Sequence, residues 1–370
     1  MTSIPKRPER YPVTVTALLC ILCIAVSSAV TAQSTGEAKL LPLSPVDLSV
    51  PASPAFTLLG ITPSEIARPI NPRQLATSLL NGVDENGNLQ AGVAIDLAPS
   101  LFTEKGRSLD LAQYQGKDGW GRAFARTQVS IATAKGIGSD DKSTRLALGL
   151  HVIPFDRGDP RMDKKLIAAY GHYTEEVLAA TSCGYTLSEQ KKDRLWSQVF
   201  EQYKRLTLNK PQLALALAQS WIQPEDGEPG LRSNGYGIWA SYGYGFRDTN
   251  QLIFHVRHRQ NEIVPDEDNE GVLLSRDSTI LGVRYRLGQP DVGFSLETLY
   301  TIEELQGRPK DQYMTLTLAA ERKIGEDHWL VIAMGGQSGR KDGNQLNFGL
   351  SVKWALPEER QVAPQTGSSR

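Results

Sequence analysis

The cations that could do chemistry in this chain stand two residues apart. Arg257 with Arg259, and Arg284 with Arg286, share a parity, so in an extended chain both guanidiniums of a pair stand on one face. Arg126, Arg145 and Lys353 fall on the corresponding face of their own segments, as do Asp96, Glu297 and Glu321, with His151 and His255 beside them. Basic groups outnumber acidic ones in that set. A wall lined with Arg and Lys attracts anions, so one reading is a passage or pocket for a small anionic solute. The other is a crowded interior that the same arginines fill while paired with carboxylates.

Hydrolytic chemistry would need a constellation of groups. Five histidines offer few candidates for general acid or base work, no Asp-x-His occurs, and His151 and His258 have no neighbour that sequence identifies as an orienting partner. The run DENGN from Asp84 has oxygens at calcium-like spacing but lacks the later bidentate glutamate, and its Asn-Gly is a turn signal. Arg157-Gly158-Asp159 matches a short adhesion tripeptide, for which polar turn chemistry is a sufficient explanation. No metal site and no cofactor is expected.

These groups sit on period-2 segments. From residue 88 onward eleven stretches alternate apolar with small or polar residues, which is the pattern of strands with one greasy face. Examples are YGIWASYGYGF (Tyr236, Ile238, Ala240, Tyr242), TILGVRYRL (Leu281, Val283, Tyr285, Leu287) and NQLNFGLSVKW (Phe348, Leu350, Val352, Trp354). Opposite the apolar set stand glycines, serines and isolated charges, such as Gly237, Ser241, Gly243 and Gly245. A solvated sandwich face has no use for so many strand-weakening glycines, whereas crowded lumen positions of a barrel do. Connections at FRDTN, GQPD and IGEDH are short, while NEIVPDEDNEGVLLSRD and EELQGRPKD at the other end are longer, with SGRKDGN an exception in length on that side, as in barrels whose periplasmic turns are short. Phe246, Tyr244, Tyr285, Trp329, Phe294 and Trp354 gather at the short-turn end, where an interfacial girdle belongs.

Within 159–206 the apolar positions Leu166, Ile167, Tyr170, Leu195, Trp196, Val199, Phe200 and Tyr203 recur at three and four, which predicts a helical insert. Eleven is odd, and bacterial barrels are usually even-stranded. Twelve strands are expected, with PAFTLLGIT as the twelfth and the insert facing the periplasm. Ten, with PQLALALAQSW helical and the insert external, is the alternative.

At the N-terminus Lys6, Arg7 and Arg10 precede an apolar run from Val13 to Val30, and Val30-Thr31-Ala32 supplies the small residues of a cleavage site. Residues 1–32 therefore read as a secretory signal peptide, and the apolar run is also just long enough for a single membrane anchor. Cys20 and Cys23 lie inside that run, so Cys183 alone remains in the mature chain and no internal disulfide staples it. Removing residues 1–32 leaves 37 basic and 40 acidic residues, a net charge of −3, and nothing in that balance points to nucleic acid. Residues 33–87 are proline-rich, with RQLATSLLNGV as a short helix, and could be a periplasmic or lumen-plugging region; 88–356 are expected to form the β-barrel with its helical insert, and 357–370 a flexible polar tail.

Asn347-Phe348-Gly349-Leu350-Ser351-Val352-Lys353-Trp354 resembles the C-terminal signal of bacterial outer-membrane β-barrels, with Asn347, Gly349, Val352 and Trp354 at its diagnostic positions. The resemblance covers eight residues and departs from the pattern in the residues that follow Trp354. It implies an all-β transmembrane antiparallel barrel in the outer membrane of a Gram-negative cell, recognised by the barrel-assembly machinery and surrounded by lipid. The role expected is a membrane-embedded scaffold or a packed, porin-like barrel. A small-solute, anion-favouring pore, an outer-membrane hydrolase and a soluble periplasmic β-sandwich are the alternatives. Barrel hydrolases of the omptin and phospholipase types place Asp-His or Ser-His groups together, and no such set is visible in this sequence.

Overall fold

Alternation along the chain becomes one antiparallel sheet of eleven strands, each paired with its sequence neighbours. The computed structural model describes residues 50–61, 66–69, 72–80, 89–103, 110–135, 143–223, 231–246, 250–265, 273–289, 292–325, 328–340 and 344–354. The expected signal peptide, the DENGN run and the polar tail lie outside these residues.

The strands are β1 (Ala94–Leu97), β2 (Gln128–Lys135), β3 (Thr144–Asp156), β4 (Gln212–Gln223), β5 (Arg232–Phe246) and β6 (Asn250–Pro265), followed by β7 (Leu273–Gln289), β8 (Val292–Leu305), β9 (Asp311–Gly325), β10 (His328–Ser338) and β11 (Gln345–Trp354). PQLALALAQSW is strand β4, which removes the ten-strand alternative. The twelfth strand is also overturned: residues 54–59 are helix α1 (Pro54–Leu59). Pro54 occupies the first turn, where its missing N–H costs nothing, and Gly60 ends the helix at φ 69°, a left-handed cap donating to the Phe56 and Thr57 carbonyls. Helix α2 (Pro72–Leu80) matches the expected RQLATSLL segment. Between them Ala67 bridges Ile95 in parallel fashion and occupies the outer edge of β1. Among the described residues β1 and β11 share no ladder, so the sheet is not closed.

The short connections β5–β6, β7–β8 and β9–β10 all lie at one end of the sheet. The connection from β1 to β2 lies at that end too and carries α3 (Ser100–Thr103), α4 (Leu111–Gly116) and α5 (Gly119–Ala125). Asp110 opens α4 with a reciprocal capping box to Gln113, and Asp118 caps α5 through the Gly121 N–H. The helical insert is α6 (Lys164–Ser182) and α7 (Glu189–Asn209), between β3 and β4 at the same end. Its two helices bury Leu166, Val199 and Leu206 against each other, with Trp196 edge-on to Tyr173 at 5.3 Å. Among the described residues no helix is long and apolar enough to cross a membrane.

The two faces of the sheet are sorted oppositely to those of a protein folded in water. Leu217, Phe348 and Leu350 are 53%, 57% and 63% exposed, and every strand from β3 to β11 contributes a large apolar side chain to the same exposed face. The polar face is buried: Ser130 is 0% exposed, Glu297 2% and Thr317 4%. Register carries these polar residues across neighbouring strands, as in Arg259–Ser278–Glu303 and Arg284–Glu297–Thr317.

Candidate functional site

Helix α1 lies on the buried polar face, against β2, β3 and β4. Ala55, Phe56 and Leu59 pack on Ala94, Ala132 and Ala147, small residues that leave room for a helix beside the strands. Three polar contacts fix it. Ser53 Oγ donates to Asp96 Oδ2 at 2.7 Å, Ala55 N–H donates to Ser130 Oγ at 3.0 Å, and Arg259 donates to the Thr57 carbonyl at 3.1 Å. The last contact places a cation at a helix C-terminus, where orphan carbonyls and the dipole both favour it. Gly149 provides the closest approach: a Cβ there would lie 2.5 Å from Ala55 N and 2.7 Å from Pro54 Cγ. Replacing Gly149 by alanine should therefore push α1 off its seat and lower stability by about 1–3 kcal/mol. Limited proteolysis of residues 50–61, faster in G149A than in wild type, checks this; equal rates would contradict the seating.

Deeper along the same face, Arg284 is paired with the buried carboxylate of Glu297, Nε to Oε2 at 2.8 Å. Arg286 lies one pleat further on, between Gln251 and Ser295. Arg145, His151 and His255 are buried on that face as well, and Glu321 sits there half-buried opposite Gly293 and Val331. His258 is on the other face, held between the Tyr236 hydroxyl and Thr279 Oγ1 at 3.3 and 2.9 Å.

At the end away from the short turns the polar face carries an ion network that parity alone does not anticipate. Asn261, at φ 54°, makes a bulge that shifts the register between Arg259 and Glu262, so these two residues, three apart, meet on one face as an ion pair. Arg276 reaches Glu262 at 2.8 Å and Glu303 at 3.8 Å, and Arg340 reaches Glu303 at 3.4 Å and Asp311 at 3.8 Å while lying 4.9 Å from the Tyr313 ring centre. Arg257 stands one pleat inward of Arg259, between Trp239 and Ile280 in register.

Arg126 is not on a strand, which corrects its expected placement among the strand charges. It follows α5 and joins a clamp around Asp159, the carboxylate of the Arg-Gly-Asp run, which is buried and so is not presented as an adhesion ligand. Asp159 accepts from the Tyr114 hydroxyl, from Arg126 at 2.9 Å and from Arg161 at 3.1 Å; Arg126 also donates twice to the Ile153 carbonyl. Arg161 stacks over the Tyr114 ring at 3.8 Å. Burial of Asp159 opposes its ionisation, but hydrogen bonds from Tyr114 and Arg161 outweigh that and hold its carboxyl below the ordinary value. Burial first, then the bond to Asp159, push the Tyr114 hydroxyl up to about 12. The depressed carboxyl stabilises the fold above its unfolded pKa and loses that contribution as pH falls through the folded one, below about 4. The raised phenol contributes fully below its unfolded pKa, about 10, and loses its contribution as pH rises toward 12. Urea midpoints measured across pH should show both losses in wild type, with the acid one absent in Asp159→Asn and the alkaline one in Tyr114→Phe.

On β11, Asn347, Gly349 and Lys353 pair in register with Gly335, Ala333 and Trp329, and Val352, which is exposed, with Leu330. The structure thus gathers Asp96, Arg257, Arg259, Arg284, Arg286 and Glu297 on one face and leaves Arg126 off it. Sequence reasoning missed Glu262, Arg276, Glu303, Asp311 and Arg340. Taken together, fold and site define a single antiparallel meander with a polar buried face, an apolar exposed face and a short helix seated on the polar side. Comparison with protein-family models, curated proteins and solved structures gives no match.

Proposed function

We propose that this protein is an exported β-barrel of the outer membrane, a membrane-embedded scaffold whose polar interior is packed by its own side chains and by helix α1. The observation that carries the proposal is the inverted sorting of the faces. Water-soluble monomers rarely expose a continuous apolar patch beyond a few hundred Å², while a sheet curled around its polar side presents such a surface to lipid. Strand length supports it, since β3 to β11 have 10 to 17 residues and a tilted transmembrane strand needs about 9–11. Phe246, stacked on Tyr244 at 6.2 Å and on Tyr285 at 6.0 Å, supplies part of an aromatic girdle at the short-turn end, which in this reading is periplasmic together with the helical insert.

A second reading, an anion-favouring passage for small solutes, draws on the arginines of the polar face. Conductance in planar bilayers separates the two, because a packed and plugged interior carries no steady current. The barrel itself is tested on a detergent gel: the membrane fraction should yield a band whose migration changes on heating. Recovery of the mature protein from the soluble periplasm would sink the proposal.

A further inference from the structure

We infer that the arginine-rich end of the polar face is a binding site for a small multivalent anion of the carboxylate or phosphate class, with Arg257 and Arg259 as its donors. The inference rests on the anion-favouring reading of that face. Four guanidiniums meet three carboxylates there. Glu262, Glu303 and Asp311 are taken by Arg259, Arg276 and Arg340, whereas the Arg257 guanidinium has no ion pair and no hydrogen bond among the described residues. The Nε atoms of Arg257 and Arg259 are buried without a hydrogen-bond partner, although Arg259 itself is only 9% exposed. Buried donors left unsatisfied on an uncompensated cation are costly, and an anionic acceptor removes both deficits at once. Neighbouring groups suit such a ligand: Ser278 and Thr301 add buried hydroxyls on the pleats of Arg259 and Arg257. Paired planar guanidiniums favour the flat, bidentate oxygens of carboxylate and phosphate over a spherical halide.

Arg259 also holds α1 through the Thr57 carbonyl, so an anion bound at Arg257 and Arg259 competes with the helix for the same donor. Occupancy of the site therefore loosens the helix from the polar face.

Calorimetric titration of the full chain in detergent, at about 0.15 M chloride to screen weak surface attraction, tests this with citrate and inorganic phosphate as separate probes. At least one probe should bind, at least tenfold more weakly to Arg257→Gln, and should speed proteolysis of residues 50–61 in wild type. Preference for citrate assigns the carboxylate source and preference for phosphate the other. Where R257Q does not reach the heat-modifiable form, Arg257→Lys keeps the charge without the planar fork and should bind at least threefold more weakly. Binding of neither probe, or equal binding by the variant that folds, overturns the inference. Heat-modifiable migration with no binding removes the site and leaves the barrel standing, and binding by a soluble protein does the reverse.

Discussion

Leu217→Arg should destabilise the folded protein by about 2–4 kcal/mol if the proposed barrel meets lipid, the penalty for a cation at the lipid-facing midpoint of a transmembrane strand. Leu217 lies at the middle of β4, more than half exposed, with Leu150 and Ile238 opposite it on the neighbouring strands. In water the same substitution at so exposed a position should change stability by no more than about 0.5 kcal/mol. Urea unfolding of protein folded into lipid vesicles reads the difference directly. Gln219→Arg, on the same face but one pleat nearer the end of the strand, gives the depth control and should cost about 1 kcal/mol or less. Equal, small effects at both positions would mean that the apolar face does not meet lipid.

Glu297→Ala should be the most damaging single change on the opposite face. It removes the buried carboxylate that is ion-paired with Arg284, for an expected loss of about 3–5 kcal/mol. Removing both charges, as Arg284→Met with Glu297→Leu, should recover much of that, because breaking a buried ion pair by removing one partner costs more than replacing the pair by apolar side chains. The coupling energy of the double-mutant cycle checks this, and additive losses would show that the pair does not act as a unit.

Much of this sheet was legible in the alternation itself. Parity assigns the exposed face of β11 and puts the arginines of β6 and β7 on the opposite, polar face, because a two-residue period has only one alternative register and that register inverts every side chain. Three parts were not. PAFTLLGIT is too short for periodicity to separate strand from helix, and the signals that decide it are its ends: proline in the first turn and glycine just past the last. Helices α4 and α5 announce themselves by Asp110 with Gln113 and by Asp118, capping residues that an apolar-period search passes over. Arg126 was assigned by parity although it stands where a helix has just ended. The ion network beyond Arg259 was hidden for a different reason. One extra residue at Asn261 resets the count, so Glu262 faces the side that its even number denies it.

The seating of α1 has a consequence for the order of events in the protein's biogenesis. The helix precedes every strand in the chain and is seated on the polar face of the sheet, the side that the strands would surround in the proposed barrel. A cylinder that shut first would lock its own stopper outside. In the proposed barrel the leading segment must therefore be laid down before the first and last strands meet, and Ala67, bridged to the rim of β1, tethers it at that edge. On that reading the chain carries its timing in its connectivity: the helix is seated before the strands close around it.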